Sequence, residues 1–173
     1  VEQSADLYLV MRPYKYNSNM KPIFSQKDKG YGLFTSPYVE DGRAELKEIV
    51  TRWDFSKDRE PLTFAISSSF PAKYADVAEE ALLYWNRVIG KNAVRVIKNV
   101  DPQSLPQERV VMVHWVDWDD AGFAYAGFNA DPLTGEILLG QIFMTSSWVS
   151  NAQFESQQYD KKLVIPAGLG FSG

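Results

Sequence analysis

Between Ala72 and Ile89 the apolar residues Tyr74, Val77, Ala78, Ala81, Leu82, Trp85, Val88 and Ile89 recur at steps of three and four, the period of an amphipathic helix. Pro71 suits the first turn, Asp76, Glu79 and Glu80 fall in the early turns, and Gly90 stands at the natural stop. The spacing predicts the principal helix of the chain, with Val77, Ala81, Trp85 and Val88 buried against a sheet. Around it the period drops to two. Leu62, Phe64 and Ile66 alternate with smaller or polar neighbours, predicting a strand over 62–67 with one buried face. Val94 to Lys98 reads as a second strand, and Arg109 to Val116, apolar on both faces, as a strand inside a sheet. From Asp131 to Met144 a turn leads into a strand: Asp131-Pro132 opens the reversal, Gly135 can supply positive φ, and Ile137 to Met144 leaves extended. Alternation puts Leu138, Gly140, Ile142 and Met144 on one face, taken as inward, and Ile137, Leu139, Gln141 and Phe143 on the other. This last strand is expected at a sheet edge.

The remaining segments carry weaker signals. Leu7 to Tyr16 is rich in β-formers but holds Pro13, which confines a strand to an edge. Asn17 to Gly30 has loop composition, and Tyr31 to Phe34 reads as a short strand. Ala44, Leu46, Ile49, Val50 and Trp53 fit helical spacing, predicting a short helix over 41–53. Residues 56–61 form a charged turn, Val100 to Glu108 a surface connection with two prolines, and Asp117 to Ala121 an acidic loop. Beyond Trp148 the Ser, Asn and Gln-rich chain reads as a loop or weak helix, and Pro166 to Gly173 as a segment that stops before completing an element. The sum is an α+β fold, a twisted mixed β-sheet with one long backing helix. Residues 1–60 serve as a lead-in, 61–147 as the main unit and 148–173 as an incomplete tail.

Composition narrows the function. A chain of 173 residues that is 45% hydrophobic and 14% aromatic has the material for one sizeable core. The net charge of −4 and the lack of Lys/Arg-rich runs argue against nucleic acid as a partner. No stretch approaches the roughly 20 apolar residues of a membrane helix, and Val1-Glu2-Gln3-Ser4 is not a signal peptide, as expected of a mature or trimmed chain. With no Cys, thiolate zinc sites and cysteine nucleophiles are excluded, and so are disulfides.

His114 is the only histidine. A zinc site built on two or three imidazoles, or a Ser-His-Asp triad with an evident partner, is therefore not available. Flanked by Val113 and Trp115, it reads as an imidazole held by a hydrogen bond within or beside the sheet. Asp117, Asp119 and Asp120 could bind Ca²⁺ but lack calcium-loop spacing, so a solvated loop is expected. Asp131 and Glu136 could hold a cation, although Asp at the first position of a turn ordinarily accepts backbone N–H bonds. Trp85 and Trp115 read as core, and Gly30-Tyr31-Gly32 lacks the context of a dinucleotide loop. No catalytic or metal-ligating set emerges.

Several ordered blocks nevertheless resemble a known family: Gly30-Tyr-Gly-Leu-Phe-Thr-Ser36, Arg52-Trp-Asp54 with Lys57, Pro61-Leu-Thr-Phe64, Phe70-Pro-Ala-Lys-Tyr74, Ala81 to Asn86, Val113-His-Trp115, Ala124-Tyr-Ala-Gly127, and Asp131-Pro-x-Thr-Gly-Glu-Ile-Leu138. The set is similar to the bacterial exported zinc-dependent metalloproteases of the metzincin type. The resemblance implies the upper subdomain of the catalytic domain, export to the periplasm, outer membrane or medium, and a peptide or protein substrate. It also implies zinc in the complete parent protein, with no cofactor in this chain. The family's zinc helix, His-Glu-x-x-His-x-x-Gly-x-x-His, does not occur within residues 1–173. Two readings follow: the chain is the scaffold portion of a longer peptidase, completed by the C-terminal part of the catalytic domain, or it is a naturally short, non-catalytic relative that binds peptides or proteins. A third is a non-enzymatic sheet module for surface assembly. In that family the strand before the zinc helix holds substrate antiparallel, so the resemblance points to the backbones of Leu138, Leu139, Gly140 and Gln141 as substrate-binding.

Overall fold

A computed structural model describes residues 11, 13, 17–25, 34–40, 43–56, 58–89, 92–104 and 107–152. The segments expected as strands at 7–16 and 31–34 lie almost wholly outside these residues, as does the tail from 153 onward.

Apolar strands assemble the main sheet. Strands β3 (Leu62–Ser67), β4 (Val94–Val100), β5 (Val110–Val116), β6 (Tyr125–Ala130) and β7 (Ile137–Thr145) lie in the order β4-β3-β5-β7-β6. The pairings β4 with β3, β3 with β5 and β5 with β7 are parallel, and only β6 runs antiparallel, to β7. Leu62, Phe64, Ile66, Val111 and Val113 share one face and form the core with Phe70, Ala93 and Val94. All six residues of β3 are buried, so both of its faces are covered rather than the one its alternation suggested. β5 is interior as expected.

Two helices back the sheet: α1 (Ala72–Leu83) and, after a break at Tyr84, α2 (Trp85–Ile89). The helix exists where periodicity placed it, but the expected buried face is wrong. Val77 is 66% exposed, Trp85 52% and Val88 61%, and Ala81 is exposed too. The residues that pack on the core are Tyr74, Ala75, Ala78, Leu82 and Ile89. Both sets recur at helical steps, and Trp115, which stacks on Tyr74 with ring centroids 5.5 Å apart and meets Phe70 edge-on, draws the second set inward. Asn86 ties the end of this unit to the sheet, donating through Nδ2 to the Val94 carbonyl and accepting from the Val94 N–H, both at 2.9 Å.

A second, two-stranded antiparallel sheet pairs β1 (Thr35–Glu40) with β2 (Arg43–Val50). The expected helix over 41–53 is therefore corrected to a strand. β2 is held on both sides: β1 lies along one, and on the other the Ser25 N–H donates to the Glu48 carbonyl and the Val50 N–H to the Ile23 carbonyl. Pairing along both sides overrides a weak helical pattern that ends in the β-branched run Ile49, Val50, Thr51. After β7 the backbone is helical over 146–152.

Candidate functional site

The four residues expected to hold a peptide lie in β7, and β7 is not an edge. On one side Val111 and Met112 of β5 register with Gly140 and Gln141, and the Arg109 N–H donates to the Leu138 carbonyl at 2.7 Å. On the other, Gly127, Phe128 and Asn129 of β6 register with Gln141, Gly140 and Leu139. Both sides of Leu138–Gln141 are thus used within the chain, and strand addition at their backbones is excluded. The reason is β6, a strand not anticipated from the sequence, which folds back across the Asp131 turn. Leu139, Gly140 and Gln141 do line a cavity of about 90 Å³ with His114 and Gln107, on the sheet face opposite the helices.

The free edge on this side of the sheet is β6 itself. Among the described residues no strand pairs with its outer side, and five of its six residues are exposed. In an antiparallel strand alternate residues turn their N–H and C=O away from the partner, so β6 offers a ladder of backbone groups to a further strand. Phe128 points to the helix face, where Phe34 meets it edge-on at 6.0 Å. Tyr125 points to the opposite face, beside Phe143.

The turn that positions β6 against β7 is fixed by its own residues. Asp131 accepts from the Leu133 N–H at 2.9 Å and from Thr134 Oγ1 at 2.6 Å, while the Gly135 N–H donates to its carbonyl. Thr134 Oγ1 in turn accepts from the Glu136 N–H. The cation-binding alternative for Asp131 and Glu136 gives way to these bonds. Gly135 has φ +74, and a Cβ there would sit 2.3 Å from the Val50 carbonyl oxygen, so glycine is required both for its backbone angle and for its lack of volume. That close approach lets the Arg52 N–H donate to the Gly135 carbonyl and the Ile137 N–H to the Arg52 carbonyl, joining the lead-in to the turn.

Beneath the turn lies a buried charge cluster that sequence reading missed. Glu136 is 2% exposed, pairs with Arg59 and accepts from Asn17 Nδ2 at 2.9 Å. Arg59 Nε lies 3.3 Å from Asp54, too poorly aligned for a hydrogen bond, so that contact is ionic. Burial pushes the Asp54 carboxyl up, but hydrogen bonds from Ser56 and Asn17 and the charge of Arg59 outweigh it and hold the group below its usual range. Arg109, also buried, donates twice to the Glu60 carbonyl. Asn17 lies 37 residues from Asp54 and 119 from Glu136, and Arg59 lies 77 from Glu136, so only the fold brings these segments together.

His114 is held by stacking, not by the expected hydrogen bond. Its ring lies 4.8 Å from that of Phe143 at 12°, and its Nε2 is buried without a partner. Burial lowers its pKa from 6.5, favouring the neutral ring. In the acidic loop Asp117 accepts from Trp115 Nε1 at 2.7 Å and Asp119 from Ser146 Oγ at 2.6 Å. Among the described residues no three His, Cys, Asp or Glu side chains gather as a metal site. Comparison of the chain with family models, curated proteins and solved structures finds no significant match.

Proposed function

We propose that this chain is the scaffold and peptide-binding portion of a zinc-dependent peptidase of the metzincin type, exported, and that β6 is the strand on which an extended peptide lies. The observation that carries the reading is the order of the main sheet, which among the described residues leaves its antiparallel strand, Tyr125–Ala130, exposed at the edge beside the strand the resemblance singles out. Such an edge binds an extended chain by main-chain hydrogen bonds, with alternate side chains reading the two faces. The ordered sequence blocks and the mixed sheet backed by helices support the same assignment. The chain's own donors do not fit zinc: one imidazole, stacked against Phe143, faces no second nitrogen and no carboxylate cluster among the described residues. Metal and the water it activates therefore belong to the zinc helix of the complete parent, and this chain's part is to bind and orient the peptide.

The test is amide hydrogen exchange of the purified chain with extended, β-prone peptides. Slowed exchange at alternate amides of Tyr125–Ala130, abolished by N-methylation of the peptide backbone, is the expected result. Protection confined to other strands, or binding indifferent to N-methylation, would overturn it. The gene beyond Gly173 separates the two forms of the reading: a His-Glu-x-x-His helix in the following segment supports the peptidase, and a stop codon favours the non-catalytic peptide-binding relative.

A further inference from the structure

Three rings cross the sheet in a row on the face opposite the helices. His114 of β5 stacks on Phe143 of β7 at 4.8 Å and 12°, and Phe143 stacks on Tyr125 of β6 at 4.6 Å and 13°. The strands are in register at these positions, His114 with Phe143 and Phe143 with Tyr125. Ring spacing thus matches the roughly 4.7–4.9 Å separation of neighbouring strands. The row ends at the free edge on Tyr125, which is 46% exposed. A strand added to β6 brings its residue opposite Tyr125 to the same spacing, on the same face. On one diagonal lies Phe123, its ring 6.0 Å from Tyr125. On the other lies Gly127, with nothing within 4 Å of where a Cβ would stand, leaving room for a large side chain.

We propose that the position opposite Tyr125 is a subsite for an aromatic side chain, so that the preferred peptide is one whose ring extends the His114–Phe143–Tyr125 row by one member. The inference rests on the reading of β6 as the peptide-binding edge and names what that edge selects. A flat ring suits it better than an aliphatic group of equal bulk because offset-stacked rings gain attraction beyond the area they bury. The specificity-determining residue is Tyr125, which touches the peptide; Phe143 and His114 position its ring from behind.

The experiment uses the full 173-residue chain and a labelled, extended host peptide with one guest position moved along it, carrying phenylalanine, cyclohexylalanine, leucine or arginine, with affinity read by fluorescence anisotropy. At one guest position phenylalanine is expected to bind about two- to tenfold more tightly than cyclohexylalanine, and Tyr125→Leu should erase that preference, so that the two guests bind the variant equally. Equal binding of phenylalanine and cyclohexylalanine at every position overturns the subsite while β6 protection by the host leaves the edge reading intact. An arginine preference, or a phenylalanine preference that survives Tyr125→Leu, overturns it too. Absence of any peptide protection on β6 overturns both.

Discussion

Two glycines with nearly the same backbone angle separate strain from collision. Gly122 has φ +68 and open space where a methyl would stand; Gly135 has φ +74 and the Val50 carbonyl oxygen 2.3 Å from the equivalent point. Alanine at either must hold the left-handed conformation, costing about 1–2 kcal/mol. At Gly122 nothing further is lost, because its N–H keeps its 3.0 Å bond to Ser147 Oγ. At Gly135 the methyl pushes the turn off Val50 and opens the bonds between Arg52 and Gly135 and between Ile137 and Arg52, each 2.9 Å. Two backbone hydrogen bonds at about 0.5–1.5 kcal/mol each bring the total for Gly135→Ala to about 2–5 kcal/mol. Urea denaturation of Gly122→Ala, Gly135→Ala and the parent chain measures both. A loss for Gly135→Ala equal to that for Gly122→Ala would show that the turn relaxes away from β2 without cost, and the claim that Gly135 locks the lead-in to the main sheet would fall.

The other expectations concern the charge cluster, the histidine and the helix. Glu136→Gln keeps the shape but removes the charge beside Arg59; with Asp54 still 3.3 Å from Arg59, the loss should be about 1.5–3 kcal/mol in the same assay, and a neutral result would make the pair ornamental. Burial sets the folded pKa of His114 below 6.5, so the unfolded chain takes the proton first; the stability is present above pH 6.5 and is lost as pH falls towards the lowered folded value. His114→Phe keeps the ring row and should flatten the dependence of the urea midpoint across that window, whereas parallel pH curves for the two proteins would assign the slope to other groups. Trp85→Ala, on the outer side of α2, should cost less than about 1 kcal/mol, against about 2–5 for Ile66→Ala in the core; a reversed order would place the backing helix the other way round.

The elements of the main sheet with apolar runs were legible because period and β-branching agree there: β3, β4, β5 and β7 all stand where Leu62–Ser67, Val94–Lys98, Arg109–Val116 and Ile137–Met144 put them. The helix was legible but its orientation was not, since the stripe of Val77, Ala81, Trp85 and Val88 repeats as regularly as that of Tyr74, Ala78 and Leu82, and only the rings of Trp115 and Phe70 choose between them. β2 looked helical because the spacing of its apolar residues fits a helix, and only pairing with β1 on one side and with Ile23 and Ser25 on the other makes it a strand. The position of the candidate site failed for the same reason. The spacing within Leu138–Gln141 reads the same for an edge strand as for one covered by Tyr125–Ala130. A local signal for β6 does exist: Tyr125 and Phe128 lead directly into the Asp131-Pro132 turn, so the turn already implied a strand on each side.

The sheet order also dictates a sequence of assembly. As the chain emerges from the ribosome, β3, α1, β4 and β5 can close a parallel three-stranded unit, but the strand that belongs against β5 is the last of the sheet to be made. At synthesis rates of about 5–20 residues per second, the interval between Ala130 and Thr145 lasts about one to three seconds. Throughout it Val110–Val116, the most apolar strand of the molecule, has one bare edge, and β6 waits for the strand it will pair with. A nascent chain stalled before Ile137 would therefore present a β-branched, uncharged template for pairing with its neighbours, and the yield of soluble protein depends on how quickly β7 arrives to occupy it.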